Sequence, residues 1–218
     1  MEAILKRTIS TLLIASLPLW PGVAGGEERV RPLGEKIRSG RFLFEARGCS
    51  GCHTVMGKGG TVGPDLTRAT VWASPLLGAA VMWNHVPLME KAMRERSLIW
   101  PAFQAEDVAD IFTYLHSLNR EEGAVYPFRG EARLGEVLFA ATCQKCHGPP
   151  FKGGGLGPDL GPKIGEMVSE SAFATRMLRH APTMIALAQE IQFIWPRLTG
   201  NKMADIFVYL KSLRSDNR

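Results

Sequence analysis

The sequence has few of the features that mark several common protein classes. Its 218 residues include four cysteines, all within two short motifs, so none is left over for a disulfide framework. Beyond the N-terminus, no run approaches the ~20 apolar residues that span a bilayer. The alternation of apolar and polar residues typical of strands is absent, and the basic residues are scattered rather than clustered. We therefore do not expect a disulfide-rich scaffold, a polytopic membrane protein, a β protein or a nucleic-acid binder.

The cysteines belong to two motifs of the pattern C-x-x-C-H. The first consists of Cys49, Cys52 and His53, and the second of Cys143, Cys146 and His147. Two thiols at this spacing can add to the two vinyl groups of a haem, and the adjacent imidazole then becomes the proximal iron ligand. One such motif could belong to a zinc site or arise by chance, but two copies that use every cysteine favour haem. The sequence predicts two covalently attached haem c groups.

The sequence around the motifs is also duplicated. Residue 143 lies 94 positions after residue 49, and the G-P-D-L at 63–66 recurs at the same offset at 157–160. Later segments recur at an offset of 95: H-x-P-x-M at 85–89 and 180–184, I-W-P at 99–101 and 194–196, and D-I-F-x-Y-L at 110–115 and 205–210. A long fixed period of this kind indicates a repeated domain. We predict tandem domains over 34–120 and 131–218, joined by a linker at 121–130.

The closing segment of each domain has apolar residues at helical spacing. They are Val108, Ile111, Phe112, Leu115 and Leu118 in the first domain, and Met203, Ile206, Phe207, Leu210 and Leu213 in the second. This spacing places them on one face of a helix. Each domain is small for an ordinary hydrophobic core, and a haem would act as the centre of that core. The predicted fold is all-α.

Residues 1–24 have the layout of a signal peptide. Lys6 and Arg7 precede a short apolar core that Pro18 interrupts, and the small residues at 22–24 form a cleavage site. We therefore expect an exported, periplasmic protein, which fits the attachment of haem c outside the bacterial cytoplasm. If the segment stayed uncleaved, it would associate the chain with the membrane.

The order of the motifs resembles that of class I cytochrome c. A Gly-x-x-x-Phe segment precedes C-x-x-C-H, G-P-D-L follows it, and a helix containing Tyr-Leu closes each domain. The resemblance implies that the first and last helices cross closely at the glycine. The expected contacts join Gly40 and Phe44 to Ile111 and Tyr114, and Gly135 and Phe139 to Ile206 and Tyr209. It also implies that the carbonyls of Pro64 and Pro158 each accept a hydrogen bond from Nδ1 of the motif histidine.

The sixth iron ligand is the point at which this sequence departs from the family pattern. Family members carry Met-Pro before the last helix, whereas this chain has Trp-Pro at 100–101 and 195–196, and indole does not bind iron. Three ligand-capable pairs recur nearby: Met82 with Met177, His85 with His180, and Met89 with Met184. We interpret the first pair as core. The third pair is our choice of ligand, because each Met follows a Pro-x pair and a thioether suits a high-potential carrier. The His pair is the alternative, and five-coordinate iron is a third possibility.

Covalent, six-coordinate haem in a small exported domain implies single-electron exchange without a bound substrate. We expect a non-enzymatic di-haem electron-transfer protein, either a shuttle or the cytochrome subunit of a redox complex in a respiratory chain. Its expected partners are a dehydrogenase, a quinol–cytochrome c oxidoreductase or a terminal oxidase. The alternatives are a di-haem peroxidase, which requires dissimilar haem sites, and a ligand-binding haem sensor, which requires five-coordinate iron.

Overall fold

The computed structural model describes residues 31–104, 106–119 and 128–214. The predicted signal peptide and most of the predicted linker lie outside these residues. The described chain forms the helices α1 Leu33–Ala46, α2 Pro75–Arg94, α3 Asp107–Ser117, α4 Ala132–Thr142, α5 Gln144–His147, α6 Glu170–Glu190 and α7 Gly200–Ser212. Two two-residue strands, β1 Thr54–Val55 and β2 Lys58–Gly59, pair antiparallel. The all-α prediction is therefore confirmed apart from this one small hairpin, and none of the described helices is long and apolar enough to cross a membrane.

Both halves of the chain have the same construction. In the first, α1 packs against α3, and in the second, α4 packs against α7. The apolar face predicted for the closing helices is the buried one, as Val108 and Met203 illustrate with 1% and 0% of their surface exposed. The burial of these faces supplies the apolar contact that holds the first and last helices of each half together.

A glycine allows the first and last helices to approach closely in both halves. A Cβ atom at Gly40 would overlap the carbonyl of Asp110 and lie 2.8 Å from Cβ of Tyr114. Gly135 has the same relation to Asp205 and Tyr209. The aromatic rings meet beside this crossing: the centroids lie 6.0 Å apart for Phe44 and Tyr114, and 5.5 Å apart for Phe139 and Tyr209. The contacts with Tyr114 and Tyr209 that the resemblance implied are therefore present.

The two long helices, α2 and α6, begin in the same way. Ser74 and Ser169 precede them, and each side chain accepts a hydrogen bond from the backbone N–H three residues later. Such caps satisfy donors that have no partner within the helix. Each helix then continues through an internal proline, Pro87 or Pro182. A proline inside a helix removes one backbone hydrogen bond and usually kinks or breaks the helix, but both helices run on past theirs.

The internal prolines have a consequence at the contact between the two domains. A proline has no N–H, so the carbonyl four residues earlier loses its helical hydrogen bond. These carbonyls belong to Trp83 and Leu178, and each accepts instead from an indole of the other domain. The Trp195 Nε1 donates to Trp83 at 3.1 Å, and the Trp100 Nε1 donates to Leu178 at 2.9 Å. Both Trp-Pro segments thus join the domains, where α2 packs against α6 and α7.

Candidate haem-binding sites

The backbone of each C-x-x-C-H motif forms one tight turn. The N–H of His53 bonds to the carbonyl of Cys49 at 2.9 Å, and the N–H of His147 bonds to that of Cys143 at 3.0 Å. In the first domain the turn is a short 3-10 helix, and in the second it is α5. A helical turn places both cysteines and the histidine on adjacent positions of one surface, as double thioether attachment requires.

The motif histidines are held in the orientation that iron ligation needs. Nδ1 of His53 lies 2.9 Å from the Pro64 carbonyl, and Nδ1 of His147 lies 2.9 Å from that of Pro158. A carbonyl only accepts, so Nδ1 carries the proton and Nε2 keeps its lone pair for the metal. The contacts implied by the resemblance are therefore present.

The backbone of a glycine lies directly beside each histidine ring. A Cβ atom at Gly63 would lie 2.6 Å from Nδ1 of His53, and one at Gly157 would lie 2.9 Å from the ring of His147. The first residue of G-P-D-L thus has a steric role, because any side chain there would push against the ring. The second residue supplies the acceptor for the same ring.

The aspartate of G-P-D-L organises the loop around these prolines. The carboxylate of Asp159 accepts hydrogen bonds from the N–H groups of Gly161, Gly153 and Phe151, at 2.8 to 2.9 Å. The Gly161 bond contributes most to lowering the pKa of Asp159 below its usual range. Asp65 makes the equivalent bond to the N–H of Thr67 at 2.7 Å. The ionised carboxylate of each aspartate is thus the form that accepts these hydrogen bonds and holds the loop together.

The first thiol of each motif is packed among apolar groups. This burial raises the pKa of Cys49 to about 11 and also raises the pKa of Cys143. Zinc sites and reactive cysteines need thiolates, which are favoured by a lowered thiol pKa. The environment therefore suits sulfur in a neutral thioether better than sulfur in a thiolate.

A cavity of about 410 Å³ lies beside the second motif. It is lined by both cysteines and the histidine of that motif, and by Met177, His180 and Met184 of α6. The structure thus places the motif and every sixth-ligand candidate of the second domain around one space. Met177, which we had interpreted as a core residue, is half-buried and packs against the apolar core, and it also belongs to this wall.

The same cavity has polar and aromatic wall residues that the sequence analysis missed. Arg176 and Lys163 line it, and both pair with Glu166. Arg176 lies one helical turn before His180, so the helical spacing of α6 could have revealed it. Trp83 also lines this cavity although it belongs to the first domain, and no signal along the chain could have indicated that.

The first domain contains a buried donor that suits a haem. In the described part of the chain, the indole N–H of Trp72 is buried without a hydrogen-bond acceptor. Trp72 packs against Phe112 at a centroid distance of 5.1 Å. Its counterpart in the second domain, 95 positions later, is Met167, which lines the second cavity. A buried N–H normally has a partner. A haem carboxylate would provide one, so the residues of this site fit the group.

The comparison with protein families agrees with this geometry. The family model described as cytochrome c matches residues 37–119 and again residues 132–214. The chain is a di-haem class I cytochrome c. Comparison with curated proteins and with solved structures gives no match.

Two covalent haem c groups follow from this membership, and when bound they supply an iron that alternates between ferric and ferrous. The two cysteines of each motif would hold one haem through thioethers, and a proline carbonyl orients the imidazole that would be the proximal ligand. In the second domain, the largely apolar walls of the cavity would surround the macrocycle. Members of the family are in general electron carriers, and their partners are redox proteins.

Proposed function

We propose that this cytochrome is an exported di-haem carrier that passes single electrons between redox partners, without catalysing a reaction on a substrate. The observation that carries the proposal is the presence of two haem sites of the same construction within one compact unit. Each has a fixed proximal imidazole and the same set of sixth-ligand candidates. Matched iron-ligand sets suit the storage or relay of electrons, whereas a di-haem peroxidase needs one iron whose ligands differ from those of the other.

We further propose Met89 and Met184 as the sixth ligands. Both side chains are half-buried and pack against the apolar core, and Met184 lines the second cavity. His85 and His180 are more exposed, and each Nδ1 bonds to the carbonyl four residues earlier, at 2.7 and 3.0 Å. Thioether ligation favours ferrous iron, as a carrier of high potential requires.

The substitutions Met89→Ala and Met184→Ala test the ligand assignment. If these thioethers bind iron, the oxidised protein shows the weak near-infrared band of sulfur-to-iron charge transfer, and each exchange removes about half of it. The potential of the affected haem also falls. The measurements are near-infrared absorption and spectroelectrochemical titration.

His85→Ala and His180→Ala are the matched controls for that test, since each lies four residues before a proposed ligand on the same helix. Both variants should keep the near-infrared band. Spectra that report two imidazoles per iron and no sulfur band would instead assign the iron to His85 and His180.

The carrier function is tested by mixing the haem-loaded chain with an electron donor and then with peroxide. Rapid reduction and reoxidation of both haems is expected, with no sustained turnover of peroxide, because saturated irons leave no position for it to bind. Steady peroxide consumption by the native protein, with a reductant present, would place the chain among di-haem peroxidases. Tight binding of carbon monoxide to both native ferrous haems would favour a ligand sensor.

The proposed location is the periplasm, either free or held at the membrane by an uncleaved N-terminus. The supporting feature is the signal-peptide layout of residues 1–24. Removal of residues 1–24 would take away Lys6, Arg7 and Glu2 and lower the net charge from +5 to about +4, and this mildly basic charge favours an acidic docking surface on the partner. Proposed partners are a dehydrogenase, a quinol–cytochrome c oxidoreductase or a terminal oxidase.

A further inference from the structure

We propose that Trp83 of the first domain is a component of the second haem site, where it excludes water and raises that haem's reduction potential. The indole lines the second cavity and is 5% exposed. It stacks on Trp195, another wall residue, with ring centroids 4.1 Å apart and planes inclined by 22°. One wall of the second site therefore comes from the other domain.

Hydrogen bonds at both ends hold this indole in place. The Trp83 Nε1 donates to the Pro196 carbonyl at 2.8 Å, and the Trp83 carbonyl accepts from Nε1 of Trp195. The neighbouring Asn84 exchanges two bonds with Leu198, at 2.7 and 2.9 Å. Pro196 and Leu198 both line the second cavity. The position of α2 relative to this wall is thus set by directional contacts as well as by stacking.

The equivalent positions of the second domain do not repeat this arrangement. Position 178, which lies 95 residues after Trp83, holds a leucine, and position 179 holds an exposed arginine in place of Asn84. The Leu178 carbonyl still accepts an indole N–H, so the domain contact is shared, but the side chain offers no ring. The walls of the two haem sites therefore differ, although their attachment motifs and their sixth-ligand candidates are the same.

The effect on potential follows from charge. Reduction of ferric to ferrous iron lowers the charge of the haem by one, and a water-poor surrounding disfavours the more highly charged form. An indole that seals one wall thus stabilises the ferrous state of the second haem. The higher reduction potential of the second haem has a role only if the chain is the proposed electron carrier. The position of Trp83 does not depend on that function.

The position is tested by nuclear magnetic resonance on the full, haem-loaded, reduced chain with labelled tryptophan indoles. Nuclear Overhauser effects are expected between the Trp83 indole and the haem whose thioethers join Cys143 and Cys146. Contacts of Trp83 with the first haem alone, or with neither haem, would overturn the proposal.

The effect on potential is tested by Trp83→Leu, which installs the residue of the second repeat, and Trp83→Phe, which keeps a ring. Trp83→Leu should lower the potential of the second haem and leave that of the first, with a smaller shift for Trp83→Phe. The control is Trp72→Phe, whose effect should be confined to the first haem. Equal shifts of both haems, or no shift of the second, would overturn the proposal.

The outcomes separate this inference from the carrier proposal. A chain that shows the Trp83 contacts and the selective shift, yet turns over peroxide, would retain the inference and lose the carrier function. If Trp83→Leu fails to fold, the Overhauser contacts of the native protein and the Trp83→Phe potentials still decide the matter.

Discussion

Substitution of Gly40 by alanine is expected to lower the free energy of unfolding by about 3 kcal/mol or more. The added methyl group would overlap the carbonyl of Asp110 and press on Cβ of Tyr114, so the obstacle is backbone and cannot rotate away. Relief requires α1 to move off α3, which separates the apolar faces that build the first domain. Denaturant unfolding followed by haem absorbance and circular dichroism measures the loss.

The matched control for this substitution lies on the same helix. Gly34 has only the flexible end of Arg38 near the position of an added Cβ, at 3.6 Å. Gly34→Ala should not lower the free energy of unfolding and should raise it by up to about 1 kcal/mol, because alanine has a higher helix propensity than glycine. A Gly40→Ala protein as stable as Gly34→Ala would show that the close crossing of α1 and α3 is not needed.

Loss of an interdomain indole is expected to have the next largest effect. Trp100→Phe keeps a ring at the domain contact but leaves the Leu178 carbonyl without a donor, because Pro182 cannot supply one. A buried acceptor without a partner costs about 1–3 kcal/mol. In a Pro182→Ala background, the new N–H can bond to that carbonyl, so the same Trp100→Phe change should cost less. Unfolding free energies of the four proteins give the coupling directly.

A crossed pair of substitutions provides the control for this cycle. Pro87→Ala adds an N–H opposite the Trp83 carbonyl, which bonds to Trp195 and not to Trp100. Trp100→Phe and Pro87→Ala should therefore be additive. If Trp100→Phe cost the same in the native background as in the Pro182→Ala background, the freed carbonyl would not be what holds the indole.

Features that depend on neighbours along the chain were predicted correctly from the sequence. The buried faces of α3 and α7 follow from the helical spacing of apolar residues, since this period decides which side chains share a face. The hydrogen bonds of His53 and His147 to the proline carbonyls were implied by the resemblance to class I cytochrome c, and they too lie within one repeat. The substitution of Trp-Pro for Met-Pro was equally visible, but the new role of the indole was not.

The sequence by itself determined the number of haems, the residues that attach them, the helical class and the family. Only the tertiary structure decided how the domains meet, and through that meeting the roles of Trp83, Trp100 and Trp195. The bonds of Trp83 to Pro196 and of Trp195 to Trp83 join residues 113 and 112 positions apart. No local pattern encodes such pairs, because they depend on which helix faces of the two domains pack together. Pro87 and Pro182 illustrate the difference: a helix-breaking residue in the sequence becomes, in the folded chain, the reason that a carbonyl is free to bind the other domain.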